Sequence, residues 1–134
     1  MASSLDVNLP HEGLRVLVVE DAWHVARAMK SALEAAQIRV IGPAATVAEA
    51  RRLVDLHRPE LAIVDVKLKH ETTCELIDHC HAQSIPVIVA SGYAVPPIAA
   101  TKIATFLQKP YSGKELMAAI SKVSTARGRT PESK

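Results

Sequence analysis

Short apolar runs of valine and isoleucine recur along this chain, and between them the apolar positions repeat at helical spacing. Leu14 to Val19, Leu61 to Val64 and Ile85 to Ala90 contain a single charged residue, Arg15. Strands of that composition are buried on both faces, the condition of a parallel sheet covered by helices. Ile38 to Ile41 and Ala104 to Leu107 are weaker relatives. Between the runs, Val25, Met29, Leu33 and Ala36 make one helical stripe, and Val47, Ala50 and Val54 make another. Three helix starts are marked by a hydroxyl with a carboxylate three residues on: Thr46 with Glu49, Thr72 with Glu75, and Ser112 with Glu115. The third helix should bury Leu76, Ile77 and Cys80, and the last should bury Leu116, Ile120 and Val123.

Five strands interleaved with helices define an α/β domain. Right-handed crossovers then favour a doubly wound, open parallel sheet with helices on both faces. A chain of 134 residues, 49% hydrophobic and 22% charged, has material for one such core and no room for a second domain. The expected division is a polar N-terminal extension over 1–13, the folded domain over 14–125, and a disordered polar tail over 126–134. The extension is broken by Pro10 and Gly13 and offers neither a signal-peptide core nor a membrane span. A cytoplasmic location with no membrane partner is expected, where Cys74 and Cys80 remain reduced thiols. Basic residues number 16 against 14 acidic, and the net charge of +2 is spread along the chain, so nucleic acid is not the implied partner.

In doubly wound sheets, ligands bind outside the carboxyl ends of the strands. Those ends carry Glu20 and Asp21 after the first strand, Asp65 after the third, Ser91 after the fourth and Lys109 after the fifth. Three carboxylates in one crevice raise one another's pKa unless a counter-charge is present. A lysine and a hard divalent cation would supply it, and Mg2+ suits a shell of carboxylate oxygens, a backbone carbonyl, phosphate and water. An aspartate can attack phosphorus to form an acyl phosphate when the charge on the phosphoryl oxygens is neutralised. Asp65 is the candidate nucleophile. Lys109 would pair with one phosphoryl oxygen, Ser91 would donate a hydrogen bond to a second, and the metal would bind a third.

The segments Val16-Leu17-Val18-Val19-Glu20-Asp21, Leu61-Ala62-Ile63-Val64-Asp65, Val87-Ile88-Val89-Ala90-Ser91-Gly92-Tyr93 and Phe106-Leu107-Gln108-Lys109-Pro110 resemble the successive motifs of bacterial response-regulator receiver domains. The resemblance runs from about Leu14 to Val123. It implies the flavodoxin-like strand order 2-1-3-4-5 and a two-component signalling protein that takes phosphate from a histidine kinase or a phosphotransfer protein. Glu20, Asp21, Asp65 and the backbone carbonyl of Lys67 would then hold Mg2+, with Ser91 and Phe106 as the switch pair. The protein would catalyse only its own phosphorylation and dephosphorylation. Its output would be protein binding or phosphate relay, since no effector domain is expected. The Lys109-Pro110 bond is commonly cis in such domains.

Two departures from the family pattern stand out. Pro96 and Pro97 restrict the fourth helix to a turn or two, so a short or irregular fourth helix is expected. With Ala90-Ser91-Gly92-Tyr93, this resembles an alphaproteobacterial subfamily with an Ala-Thr-Gly-Tyr-like motif, which often works with kinases of the HWE or HisKA2 type. Lys67, two residues after the nucleophile, replaces a smaller or neutral side chain.

Simpler roles compete for some of these residues. Asp21 can cap a helix beginning at Ala22, Ser91 can be a turn residue, Phe106 can be core, and Trp23 is expected to pack on its helix. His70, Cys74, His79, Cys80 and His81 match no structural zinc spacing. Other functions fit less well. A small-molecule phosphatase with an aspartate nucleophile would want a second aspartate where Lys67 stands. A flavin carrier would want a Ser/Thr/Gly-rich loop where Glu20 and Asp21 stand.

Overall fold

The computed structural model describes residues 11–92 and 102–126. In chain order these form β1 (Arg15–Val19), α1 (Trp23–Ala35), β2 (Arg39–Ala44), α2 (Val47–His57), β3 (Leu61–Asp65), α3 (Cys74–Ala82), β4 (Val87–Ser91), β5 (Thr105–Gln108) and α4 (Gly113–Ala126). The strands make one parallel sheet in the order β2-β1-β3-β4-β5, the doubly wound order implied by the resemblance. Residues 93–101, where the short helix after the fourth strand is expected, lie outside the described residues. So do the first ten residues of the N-terminal extension and the tail from 127 onward.

Period-two alternation splits the apolar strand residues between two cores. Leu17, Val19, Ala62, Val64, Val87 and Val89 face α2 and α3, where Ala50, Val54, Leu76, Ile77 and Cys80 meet them. Val16, Val18, Leu61, Ile63 and Ile88 face α1 and α4, against Met29, Leu33, Leu116, Ile120 and Val123. Every residue of β3 and β4 is buried, which explains their unbroken apolar character. Full burial of one such side chain contributes about 1.5–3 kcal/mol. Helices this short are marginal alone, so these stripes rather than helix propensity hold them in place. Cys80 is buried and Cys74 exposed, and both are free thiols. Burial pushes the Cys80 thiol up to about 11. Among the described residues, no helix is long and apolar enough to cross a membrane.

The edge strands depart most from expectation. β2 continues past Ile41 to Ala44, through a cis Gly42-Pro43 bond. Gly42 has φ +94°, and a Cβ there would stand 2.8 Å from the Ala44 amide nitrogen, so only glycine lets the strand continue. A proline in an edge strand forfeits no ladder bond. β4 begins at Val87 rather than Ile85, and β5 runs from Thr105 to Gln108. The box at α4 closes as expected: Ser112 N–H donates to Glu115 Oε1 at 2.8 Å and Glu115 N–H to Ser112 Oγ at 3.0 Å. At α2, Glu49 N–H donates to Thr46 Oγ1 at 3.2 Å, while the Glu49 carboxylate accepts from Ala45 N–H at 3.3 Å. The box expected at Thr72 does not form. The N-cap of α3 is Thr73, and it makes no side-chain cap bond. Thr72 instead pairs with Lys67 in an isolated antiparallel bridge, because the chain folds back on itself after β3.

Candidate functional site

The strand registers bring the expected residues to one edge of the sheet. Val19 lies opposite Val64, Asp65 opposite Ala90, and Ser91 opposite Gln108. Glu20, Asp65, Ser91 and Lys109 therefore leave the sheet side by side. Glu20 is 4% exposed. Its Oε2 accepts from Ala22 N–H at 3.2 Å and its Oε1 from Lys109 Nζ at 3.1 Å. Lys109 Nζ also donates to Asp65 Oδ2 at 2.7 Å, and Lys67 N–H donates to Asp65 Oδ1 at 3.3 Å. Asp21 does not cap α1. Its carboxylate accepts from the Lys69 N–H across the crevice. Ser91 is buried, and its carbonyl accepts from Lys109 N–H at 2.7 Å, which locks the ends of β4 and β5 together.

One oxygen from each of Glu20, Asp21 and Asp65 lies within 4.8 Å of the others. Among the described residues no other group of His, Cys, Asp and Glu is so placed. His70, Cys74, His79, Cys80 and His81, whose spacing matches no structural zinc site, form no such group among the described residues, and His79 Nε2 meets Asp55 Oδ1 at 2.9 Å. Burial raises the Glu20 pKa and the Asp65 charge adds to it, against the Ala22 amide and Lys109, which lower it. Burial pulls Lys109 down, yet its hydrogen bond and charge pairing with Asp65, and then Glu20, leave it raised. One ammonium faces three carboxylates, so the crevice keeps a negative excess. Closely grouped carboxylate oxygens with that excess fit a small hard dication.

Phe106 is half-buried on β5, in register with Val89. The Lys109-Pro110 bond is cis. Trp23 is 69% exposed at the start of α1 instead of packing on it, with Arg27 over its ring. Some contributors went unread in the sequence. The Lys67 and Lys69 amides are backbone groups and carry no side-chain signal. The buried Thr73 hydroxyl donates to the carbonyls of Asp65 at 2.8 Å and Val66 at 3.1 Å, where a cap was expected at its neighbour. Tyr111 has a buried hydroxyl without a hydrogen-bond partner, and burial raises its pKa. It lines a cavity of about 680 Å3 between α1 and α4 with Lys109 and Pro110.

The sequence model of the response regulator receiver domain matches residues 16–121. The chain belongs to the response regulator receiver family. This receiver is 27% identical over 111 residues to the transcriptional regulatory protein PdtaR of Mycobacterium tuberculosis, a match covering 79% of the chain and 54% of PdtaR. The chain thus spans about half the length of the curated relatives it matches. In fold, the receiver is similar to the signal receiver domain of a putative LuxO repressor protein from Vibrio parahaemolyticus. The TM-score is 0.75 at 24% identity, over 86% of this chain and 93% of that one. It is also similar to the response regulator PhyR from Brucella abortus, with a TM-score of 0.79 at 20% identity, over 90% of this chain and 52% of that one.

Proposed function

We propose that this receiver accepts a phosphoryl group on Asp65 from a histidine kinase or a phosphotransfer protein, and signals by protein binding or by passing the phosphate on. The observation that carries this reading is Lys109 Nζ seated 2.7 Å from Asp65 and 3.1 Å from Glu20, beside three clustered carboxylates. Glu20, Asp21, Asp65 and the Lys67 backbone carbonyl would hold Mg2+, which when bound supplies positive charge to the phosphoryl oxygens. An Asp65 carboxylate oxygen attacks phosphorus as the donor's phosphorus–nitrogen bond breaks, and the donor histidine keeps that electron pair. Lys109 moves from the carboxylates to a phosphoryl oxygen, and the Ser91 hydroxyl donates to another.

Ser91 sits at the end of β4, and Phe106 is half-buried on the adjacent β5. In the family these two positions act as a pair, the hydroxyl residue moving toward the phosphoryl group and the aromatic residue turning inward. The altered surface would then appear in the Tyr93 to Ile103 segment. PhyR proteins from Brucella abortus and Bartonella quintana are among the structural neighbours. The alphaproteobacterial subfamily, and with it a kinase of the HWE or HisKA2 type, is proposed from the Ala90-Ser91-Gly92-Tyr93 motif.

The test is intact mass after incubation with Mg2+ and a small acyl-phosphate donor. The wild type should gain one phosphoryl group and Asp65→Ala none. An adduct of equal yield in both would overturn the assignment.

A further inference from the structure

The loop 66–73 between β3 and α3 is a closed turn. Leu68 N–H donates to Glu71 O at 2.8 Å, Thr73 N–H returns to Val66 O at 3.2 Å, and Lys67 bridges to Thr72. On one side this turn aims two amides at the crevice, Lys67 N–H at Asp65 and Lys69 N–H at Asp21. On the other side Glu71 Oε2 accepts from Val47 N–H at 2.9 Å. Val47 is the first residue of α2, and its amide has no acceptor within its own helix. A carboxylate at that place is also favoured by the helix dipole. Thr46 already caps α2 through Glu49 N–H, so the helix does not depend on Glu71 for its start. The loop, by contrast, gains an anchor on a rigid element, and that anchor lies outside the crevice.

We propose that Glu71 is a positioning residue for the phosphoacceptor site. By clasping the β3–α3 loop onto α2, it sets the amides that fix the Asp21 and Asp65 carboxylates, and it carries the state of the site to the first turn of α2. The inference rests on the Mg2+ reading above. Coupling of this kind is reciprocal: whatever the clasp adds to metal binding, metal binding adds to the clasp.

An NMR titration of the full 15N-labelled chain with Mg2+ tests it, following the Val47 and Lys69 amides in the wild type, Glu71→Ala, Glu71→Gln and Asp21→Asn. In the wild type both amides should shift with one midpoint. Glu71→Ala should weaken Mg2+ by about fivefold, the scale of a modest coupling energy, and Val47 should fall silent while Lys69 still responds. Glu71→Gln keeps an acceptor and should recover most of the affinity. A urea midpoint close to that of the wild type separates positioning from general loss of fold. Unchanged Mg2+ affinity in Glu71→Ala, or a silent Val47 in the wild type while Lys69 titrates, would overturn the proposal. If no wild-type amide responds to Mg2+, or Asp21→Asn responds as the wild type does, the metal reading itself fails and the clasp falls with it.

Discussion

Glu20 and Asp21 are adjacent in sequence, yet they occupy different environments. Glu20 is buried and held by the Ala22 amide and Lys109, whereas Asp21 is half-buried and its carboxylate accepts from the Lys69 amide. Lys109 therefore offsets one of the two charges on Glu20 and Asp65, and Asp21 contributes half of the remaining excess. Asn at position 21 would keep the shape and an acceptor for Lys69 N–H while removing that charge. Two like charges about 4 Å apart cost about 1 kcal/mol in water. Asp21→Asn is accordingly expected to stabilise the metal-free protein by about 1 kcal/mol, read as a higher urea midpoint in EDTA. The same substitution should abolish the further increase that Mg2+ gives the wild type, which is the trade between stability and function expected at a binding site. A lower midpoint in EDTA would mean that the carboxylate is structural.

Among the elements, the central strands were legible because burial on both faces leaves a run of Val and Ile that few other structures require. Edge strand β2 was less so: its end depends on Gly42 adopting φ +94° within a strand, a conformation that composition does not announce. Helix starts divide in the same way. Ser112 and Glu115 face solvent and each other, so local sequence decides the cap. Thr72 and Thr73 lie in a loop drawn back to β3, and tertiary contact overrides the local pattern. The site was legible as side chains at strand ends, and illegible where the contributors are backbone amides. Since the Ser112 cap is local, its loss should remain local. Ser112→Ala is expected to cost about 1 kcal/mol by urea unfolding, while phosphoryl uptake on Asp65 persists. A cost near zero would mean that water replaces the hydroxyl.

At the scale of the whole molecule, a net charge of +2 conceals a negative crevice at one end of the sheet, and this shapes how pH and metal act together. Burial, aided by the Asp65 charge, holds the Glu20 pKa above its ordinary 4.5. A raised carboxyl favours the folded state below the unfolded value, and that contribution is lost as pH rises through the folded value. Lys109 acts at the other extreme. With its pKa raised above 10.5, its contribution is present through neutrality and lost only as pH rises past the folded value. Mg2+ reverses the Glu20 balance, because it requires the deprotonated carboxylate and stabilises the fold by mass action. The difference in urea midpoint with and without Mg2+ should therefore be full near neutrality. On acidification it should begin to shrink at a higher pH than an ordinary glutamate would dictate. In Glu20→Gln the Mg2+ increment should be small and lack this Glu20-dependent fall. A wild-type increment that stays level down to pH 4.5 would show that Glu20 takes no part in holding the metal.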